Sequence, residues 1–223
     1  MVTSIAIHLE GGGNSEATIS PFRQGMSAFL QPLVTAARRQ GIRWRIIPYG
    51  GRSKTFKYFC NALITEPDVF HILLVDAEEA VTKKEWEHLK TRVGDQWDKP
   101  AKATDEQCHL MIVTMETWFL ADPDGVKEFF KLKKGFDASA LPEVPPLPTP
   151  PKVATVMQAM SKQKVNAIFA KATRNTKGEQ YEKIKHGAKL LEKINSVKVR
   201  QQCPSCDRLF KIVAKAMGTT IQP

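Results

Sequence analysis

Hydrophobic and polar positions follow two different periods along this chain, and the first change of period falls near residue 10. Ile5, Ile7 and Leu9 alternate with Ala6, His8 and Glu10; Gly11, Gly12 and Gly13 then supply backbone freedom before Asn14 or Ser15 can cap a helix. That pattern predicts a strand over residues 4 to 9, a tight turn and a helix start. From Ala17 to about Gln40, Phe22, Met26, Phe29, Leu30, Leu33 and Val34 recur at helical spacing, and Gly41 is well placed to end the helix. Pro21 suits an early helical position, whereas Pro32 predicts a kink or a break into two helices. Residues 43 to 48, RWRIIP, read as a strand that turns at Gly50 and Gly51, and Phe56, Phe59, Cys60 and Leu63 form the inward side of a short helix.

Two later runs are apolar almost without interruption. VFHILLV at 69 to 75 and HLMIVT at 109 to 114 have the composition of strands buried on both faces, as in parallel sheets. Between them TKKEWEHLKTR reads as a charged surface helix and residues 94 to 107 as a polar loop; Met115, Trp118, Phe119 and Leu120 form a packing face after the last strand. Strand and helix alternate four times, which predicts an α/β fold, a mainly parallel sheet flanked by helices with right-handed crossovers. Leu141 to Pro151 holds six prolines and is expected to be a stiff connection or a polyproline ligand. Beyond it the chain reads as helical: Val153, Val156, Met157 and Met160 mark one helix, Tyr181, Ile184, Ala188, Leu191 and Ile194 another, and Asp207 to Met217 a last one. The expected parts are an α/β domain at 1–140, a proline-rich connection at 141–151 and a basic C-terminal helical extension at 152–223.

Composition adds where the charge lies. The net charge is +10, but residues 1–151 carry 18 Lys and Arg against 19 Asp and Glu, and residues 152–223 carry 15 against 4. Lys185, Lys189 and Lys193 repeat every four residues beside the apolar positions of their helix. Such a basic stripe suits a polyanionic partner, nucleic acid above all, or is a solvated face. No run approaches the roughly 20 apolar residues of a membrane span, the N-terminus lacks the features of a signal peptide, and four scattered cysteines do not make a disulfide scaffold. The expectation is a cytoplasmic protein with no membrane association and free thiols.

The chemistry is concentrated in acids that follow strands: Glu10 after the first, Asp76 and Glu78 after the third, with Glu79 beside them, and Glu116 after the fourth. In an open parallel sheet these exits share one edge. Carboxylates gathered there repel unless a cation neutralises them, and hard oxygen ligands suit Mg²⁺ or Mn²⁺; the alternative is that they only cap helices or solvate the edge. The triple glycine meets neither the phosphate-loop nor the dinucleotide motif. Cys203 and Cys206 lack a second ligand pair for structural zinc, and His8, His71 and His109 sit where satisfied core histidines belong.

The segments HLEGGGNSEA, LLVDAEE and METWFLAD resemble those of a TOPRIM-like bacterial family of the domain of unknown function 4276 type, related to the TOPRIM domains of OLD nucleases; KIKHGAKLLEKI lends weaker support. The resemblance implies a Glu after the first strand, here Glu10, and an Asp-x-Asp after the third, here Asp76 and Glu78, with Glu in place of the second Asp. It further implies a Mg²⁺- or Mn²⁺-dependent nuclease acting on DNA or RNA, working with an OLD- or ABC-type ATPase in anti-phage defence or repair. Glu10 would handle a proton or a second metal, Asp76 and Glu78 would hold the cation with Glu79 as an alternative ligand, and Lys185 would contact the leaving phosphate. The rival expectation is a non-catalytic nucleic-acid-binding or scaffold subunit of an ATPase complex.

Overall fold

The structure is a computed structural model and describes residues 2–130, 161–173 and 180–222. Its centre is β1 (Ser4–Leu9), a strand buried along its whole length. On one side lies β2 (Arg43–Pro48), on the other β3 (Phe70–Asp76) and then β4 (Cys108–Met111), giving a sheet of order β2-β1-β3-β4. All three pairings are parallel, as the two-sided apolar runs predict; Ile7 pairs with both Ile46 and Ile72, and Asp76 with Met111. β4 is shorter than the run HLMIVT suggests. Past Met111, the carbonyls of Met111 and Val113 accept from the amides of Ala77 and Glu78 at 2.9 and 2.8 Å, so this stretch supports the loop leaving β3 instead of extending the ladder.

The crossovers set the layers. α1 (Glu16–Phe29) and α2 (Gln31–Arg39) divide at Leu30, with Pro21 inside α1 and Pro32 in the first turn of α2, where its missing N–H leaves no bond unmade. They cover the face carrying Ile5, Ile7, Leu9, Ile72 and Leu74. α3 (Arg52–Thr65) and α4 (Glu85–Thr91) cover the opposite face, where Phe59, Leu63, Trp86 and Leu89 meet Leu73, Val75 and Leu110. Crossovers that run in opposite directions along the sheet must place their helices on opposite faces if each is right-handed.

The remaining helices are α5 (Glu116–Leu120), α6 (Pro123–Phe130), α7 (Lys162–Thr173), α8 (Lys183–Leu191), α9 (Ser196–Gln202) and α10 (Pro204–Ala216). They join the α1 side of the core: Phe29 stacks on Trp118 at 4.9 Å and meets Phe210 edge-on at 6.1 Å. Buried Asp122 fastens α6 to α9 by accepting from Asn195 N–H at 2.8 Å. α1 and α8 approach closely, so that a Cβ at Gly25 would lie 2.2 Å from the Ala188 carbonyl oxygen. That contact corrects the expected inward face of α8. His186, Gly187, Ala188, Leu190 and Leu191 are buried, whereas Ile184 is 55% exposed, because small residues let the two backbones meet and turn the isoleucine outward. The proline-rich 141–151 and the helix expected at 153 to 160 lie outside the described residues. Among the described residues, no helix is long and apolar enough to cross a membrane.

Candidate metal centre

The order β2-β1-β3-β4 sends the chain leaving β1 toward β2 and the chain leaving β3 toward β4. The crevice between these two exits is the topological switch point of the sheet, the place where open α/β folds bind ligands. β1 delivers Glu10 there and β3 delivers Asp76 and Glu78. One carboxylate oxygen from each lies within 4.8 Å of the others.

Local structure holds each acid. Gly11, Gly12 and Gly13 all have positive φ, and Gly11 and Gly50 exchange backbone hydrogen bonds at 3.0 and 3.1 Å, tying the exit of β1 to that of β2. Glu10 Oε2 accepts from the Asp76 amide at 3.2 Å and from Arg52 Nη1 at 2.8 Å. Arg52 is set in turn by a two-pronged bond to buried Asp95, at 2.6 and 2.7 Å, and by the Asp76 carbonyl. Asp76 Oδ1 accepts from the Met115 amide at 2.9 Å, and Oδ2 from Lys183 Nζ at 3.1 Å. Glu78 has φ +70°, a left-handed conformation uncommon outside glycine and found disproportionately at functional sites. Both its oxygens accept from Lys162 Nζ, at 2.6 and 2.7 Å.

Glu116 stands one layer behind. Its Oε1 accepts from the Tyr181 hydroxyl at 2.8 Å, and Lys183 lies 3.5 Å from Oε2, so one ammonium bridges Asp76 and Glu116. Packing against Phe169 and Phe119 orients the Tyr181 ring.

Burial dominates the electrostatics. It pushes the Glu10 carboxyl up to about 7, with the Asp76 charge adding to the rise and Arg52 opposing it. Asp76 is also raised, by burial first, against the pull of Lys183. Lys183 is held above its ordinary value, because Asp76 and Glu116 outweigh its own burial. The asymmetry follows depth: the Asp76 side chain is 3% exposed and that of Lys183 40%. In Glu116 burial raises the pKa, but Lys183 and hydrogen bonds, including that of Tyr181, leave it below the usual range.

Of the acids singled out from sequence, the structure brings Glu10, Asp76 and Glu78 into one cluster. Glu116 is joined to it through Lys183, and Glu79 is exposed. Lys185 and Lys189 stand on the exposed side of α8, and Lys193 follows it, also exposed. Cations that touch the acids include Arg52, Lys162 and Lys183, none of which was singled out. Arg52 carried a usable signal, since it follows the exit of β2 as Glu10 follows that of β1. Lys162 and Lys183 carried none, because their partners lie 84 and 107 residues away.

Three carboxylates at this spacing could together hold a metal ion through oxygen ligands. Compared with known families, residues 10–214 match the one described as Domain of unknown function (DUF4276). No curated protein and no solved structure matches the chain.

Proposed function

The chain belongs to the DUF4276 family, and we propose that it is a Mg²⁺- or Mn²⁺-dependent nuclease hydrolysing phosphodiester bonds in DNA or RNA. The observation that carries this reading is the convergence of Glu10, Asp76 and Glu78 at the switch point of the sheet. A divalent cation held there supplies charge neutralisation and Lewis acidity at a phosphoryl group. Asp76 and Glu78 would hold it as ligands. Glu10, which burial and the Asp76 charge push up to about 7 in the metal-free chain, lies beside these ligands and is the group placed to exchange a proton with the attacking water or the leaving oxygen. Lys183 faces the same space and would offset charge developing on the phosphate. The similarity of the acid pattern to TOPRIM nucleases and the basic C-terminal third support the same reading, and an OLD- or ABC-type ATPase in defence or repair is the partner that similarity suggests.

One observation favours a second reading, a non-catalytic nucleic-acid-binding or scaffold subunit. Arg52, Lys183 and Lys162 already neutralise Glu10, Asp76 and Glu78 from within the chain. The deciding experiment is calorimetric titration with Mn²⁺, followed by cleavage assays on duplex DNA, single strands and structured RNA with and without the cognate ATPase. Mn²⁺ binding that Asp76→Asn weakens, together with metal-dependent cleavage, supports the nuclease; nucleic-acid binding with neither supports the scaffold. If the basic stripe forms the interface, replacing Lys185, Lys189 and Lys193 together should weaken binding and flatten its salt dependence.

A further inference from the structure

Glu10 and Asp76, with Lys183 beside them, form one wall of a cleft of about 250 Å³ whose other walls are uncharged. Its apolar side is made by Phe22, Met111, Met115 and Ile184, and opposite them runs the bare backbone of Gly11 to Gly13. Side chains at Gly11 or Gly12 would run into Phe22, and one at Gly13 would come within 2.7 Å of Thr18 Oγ1, so that wall remains backbone. Met111 and Met115 are 1% and 2% exposed and form a floor, whereas Ile184 is an exposed rim beside Lys183. Floor and acids are fixed relative to each other, since the Met115 amide donates to Asp76 Oδ1 at 2.9 Å.

A ligand whose phosphate lies against the acids must therefore place its neighbouring group on two thioethers, a phenyl edge and an isoleucine. Such a surface favours a flat ring, through sulfur–aromatic and dispersion contacts, over a charged or strongly hydrated group. The space is smaller than the roughly 300–1,000 Å³ of sites for drug-sized ligands and has room for one ring system with its sugar. We propose that the cleft receives a single unstacked nucleotide of the strand whose phosphate lies against Glu10 and Asp76. The substrate is then a strand end or an unpaired segment, and a continuous duplex is a poor one. The inference rests on reading the acids as a phosphodiester site.

The test uses the full chain and small probes: AMP, CMP and ribose 5-phosphate, titrated with Mn²⁺ present and again in EDTA. The mononucleotides should bind about tenfold more tightly than ribose 5-phosphate. Ile184→Gln, an uncharged polar change at an exposed rim that the fold tolerates, should remove that difference and leave Mn²⁺ affinity unchanged; Ile184→Met should preserve it. Equal binding of mononucleotide and sugar phosphate overturns the proposal, as does a preference for the base that survives Ile184→Gln. A preference for the base that persists in EDTA when Mn²⁺ itself fails to bind removes the metal reading and keeps the nucleotide cleft. Mn²⁺ binding without any preference for the base does the reverse.

Discussion

β1 and β3 each contribute to two buried polar clusters, and the two are built on opposite principles. In the first, His8 and His71 form a chain whose direction is fixed throughout. His71 Nε2 donates to the Glu66 carbonyl at 3.0 Å, which leaves its Nδ1 to accept from His8 Nε2 at 3.0 Å, which leaves His8 Nδ1 to accept from the Tyr49 hydroxyl at 3.1 Å. Burial holds both imidazoles neutral, with His8 pushed down to about 3. Each ring nitrogen has one partner of the right kind. In the second cluster, acids outnumber the cations that touch them among the described residues, four carboxylates against Arg52, Lys162 and Lys183: Lys183 is shared between Asp76 and Glu116, Glu78 holds a left-handed backbone, and Glu10 is driven toward neutrality. A satisfied neutral network stabilises a fold and leaves nothing over, whereas a charged cluster only partly compensated has affinity to spare for a cation.

Substitution on the acid side should have the largest effect on function. If Glu10 transfers a proton, Glu10→Gln should lower turnover by about 10²- to 10⁴-fold, with little recovery at higher metal. Asp76→Asn should also lose cleavage but regain part of it as Mg²⁺ or Mn²⁺ is raised, since it loses a ligand's charge and keeps its shape. Wild-type rates in both variants, measured with the partner ATPase and after contaminating nuclease is excluded, would remove the acids from the active site.

The histidine side should respond in the other currency, stability. His8→Leu leaves the Tyr49 hydroxyl and His71 Nδ1 without their partner, at a cost of about 1–3 kcal/mol in urea unfolding, while cleavage stays at the wild-type rate. Lost cleavage in a folded His8→Leu protein would make the two clusters one functional unit.

The pH dependence of the metal-free protein sharpens the contrast because the two signs differ. Glu10 binds its proton more readily folded than unfolded, so its contribution is full below about 4.5 and is lost as pH rises through about 7. His8 binds its proton less readily folded, so its contribution is full above 6.5 and is lost as pH falls through about 3. Each group changes stability by at most about 1.4 kcal/mol per pH unit. Melting temperatures in EDTA from pH 4 to 8 should show the two slopes offsetting each other in the wild type between about 4.5 and 6.5, with a net loss from 6.5 to about 7; Glu10→Gln should remove that loss and leave stability rising with pH up to 6.5, and His8→Leu should leave it falling from about 4.5 to about 7. An unchanged neutral limb in Glu10→Gln would mean that this carboxyl does not titrate there.

The sheet and its acids were legible in the sequence because their cause is local. A run such as VFHILLV is too apolar to lie anywhere but between two layers, and in a parallel sheet every strand exit points to the same edge, so Glu10 and Asp76 converge from topology alone. What escaped has a non-local cause. Lys183 is one of several lysines in KIKHGAKLLEK, and packing that includes the close contact between Gly25 and Ala188 sets its end of α8 over Asp76. The same contact turned Ile184 outward, against a pattern that counted isoleucine as core. Asp95, in a stretch with no periodicity, proved to be the buried anchor of Arg52.

The smallest expected effect concerns Lys162, which separates a cluster with room for a cation from one already complete. Its ammonium occupies both oxygens of Glu78, so Glu78 can serve as a ligand only after Lys162 has left. The Lys162 side chain is 32% exposed, and pairs this accessible are typically worth about 0–1 kcal/mol, so water and a divalent ion can displace it at small cost. Lys162→Met should therefore tighten Mn²⁺ binding by about two- to fivefold in calorimetric titration, the range that so weak a pair allows. The gain should vanish in Lys162→Met/Glu78→Gln, where no third carboxylate remains to be released. Weaker Mn²⁺ binding in Lys162→Met would show that the lysine orients Glu78 for the cation instead of competing with it. Unchanged binding would leave Glu10 and Asp76 as the ligands, with the pairing of Glu78 and Lys162 a structural contact like those around His8.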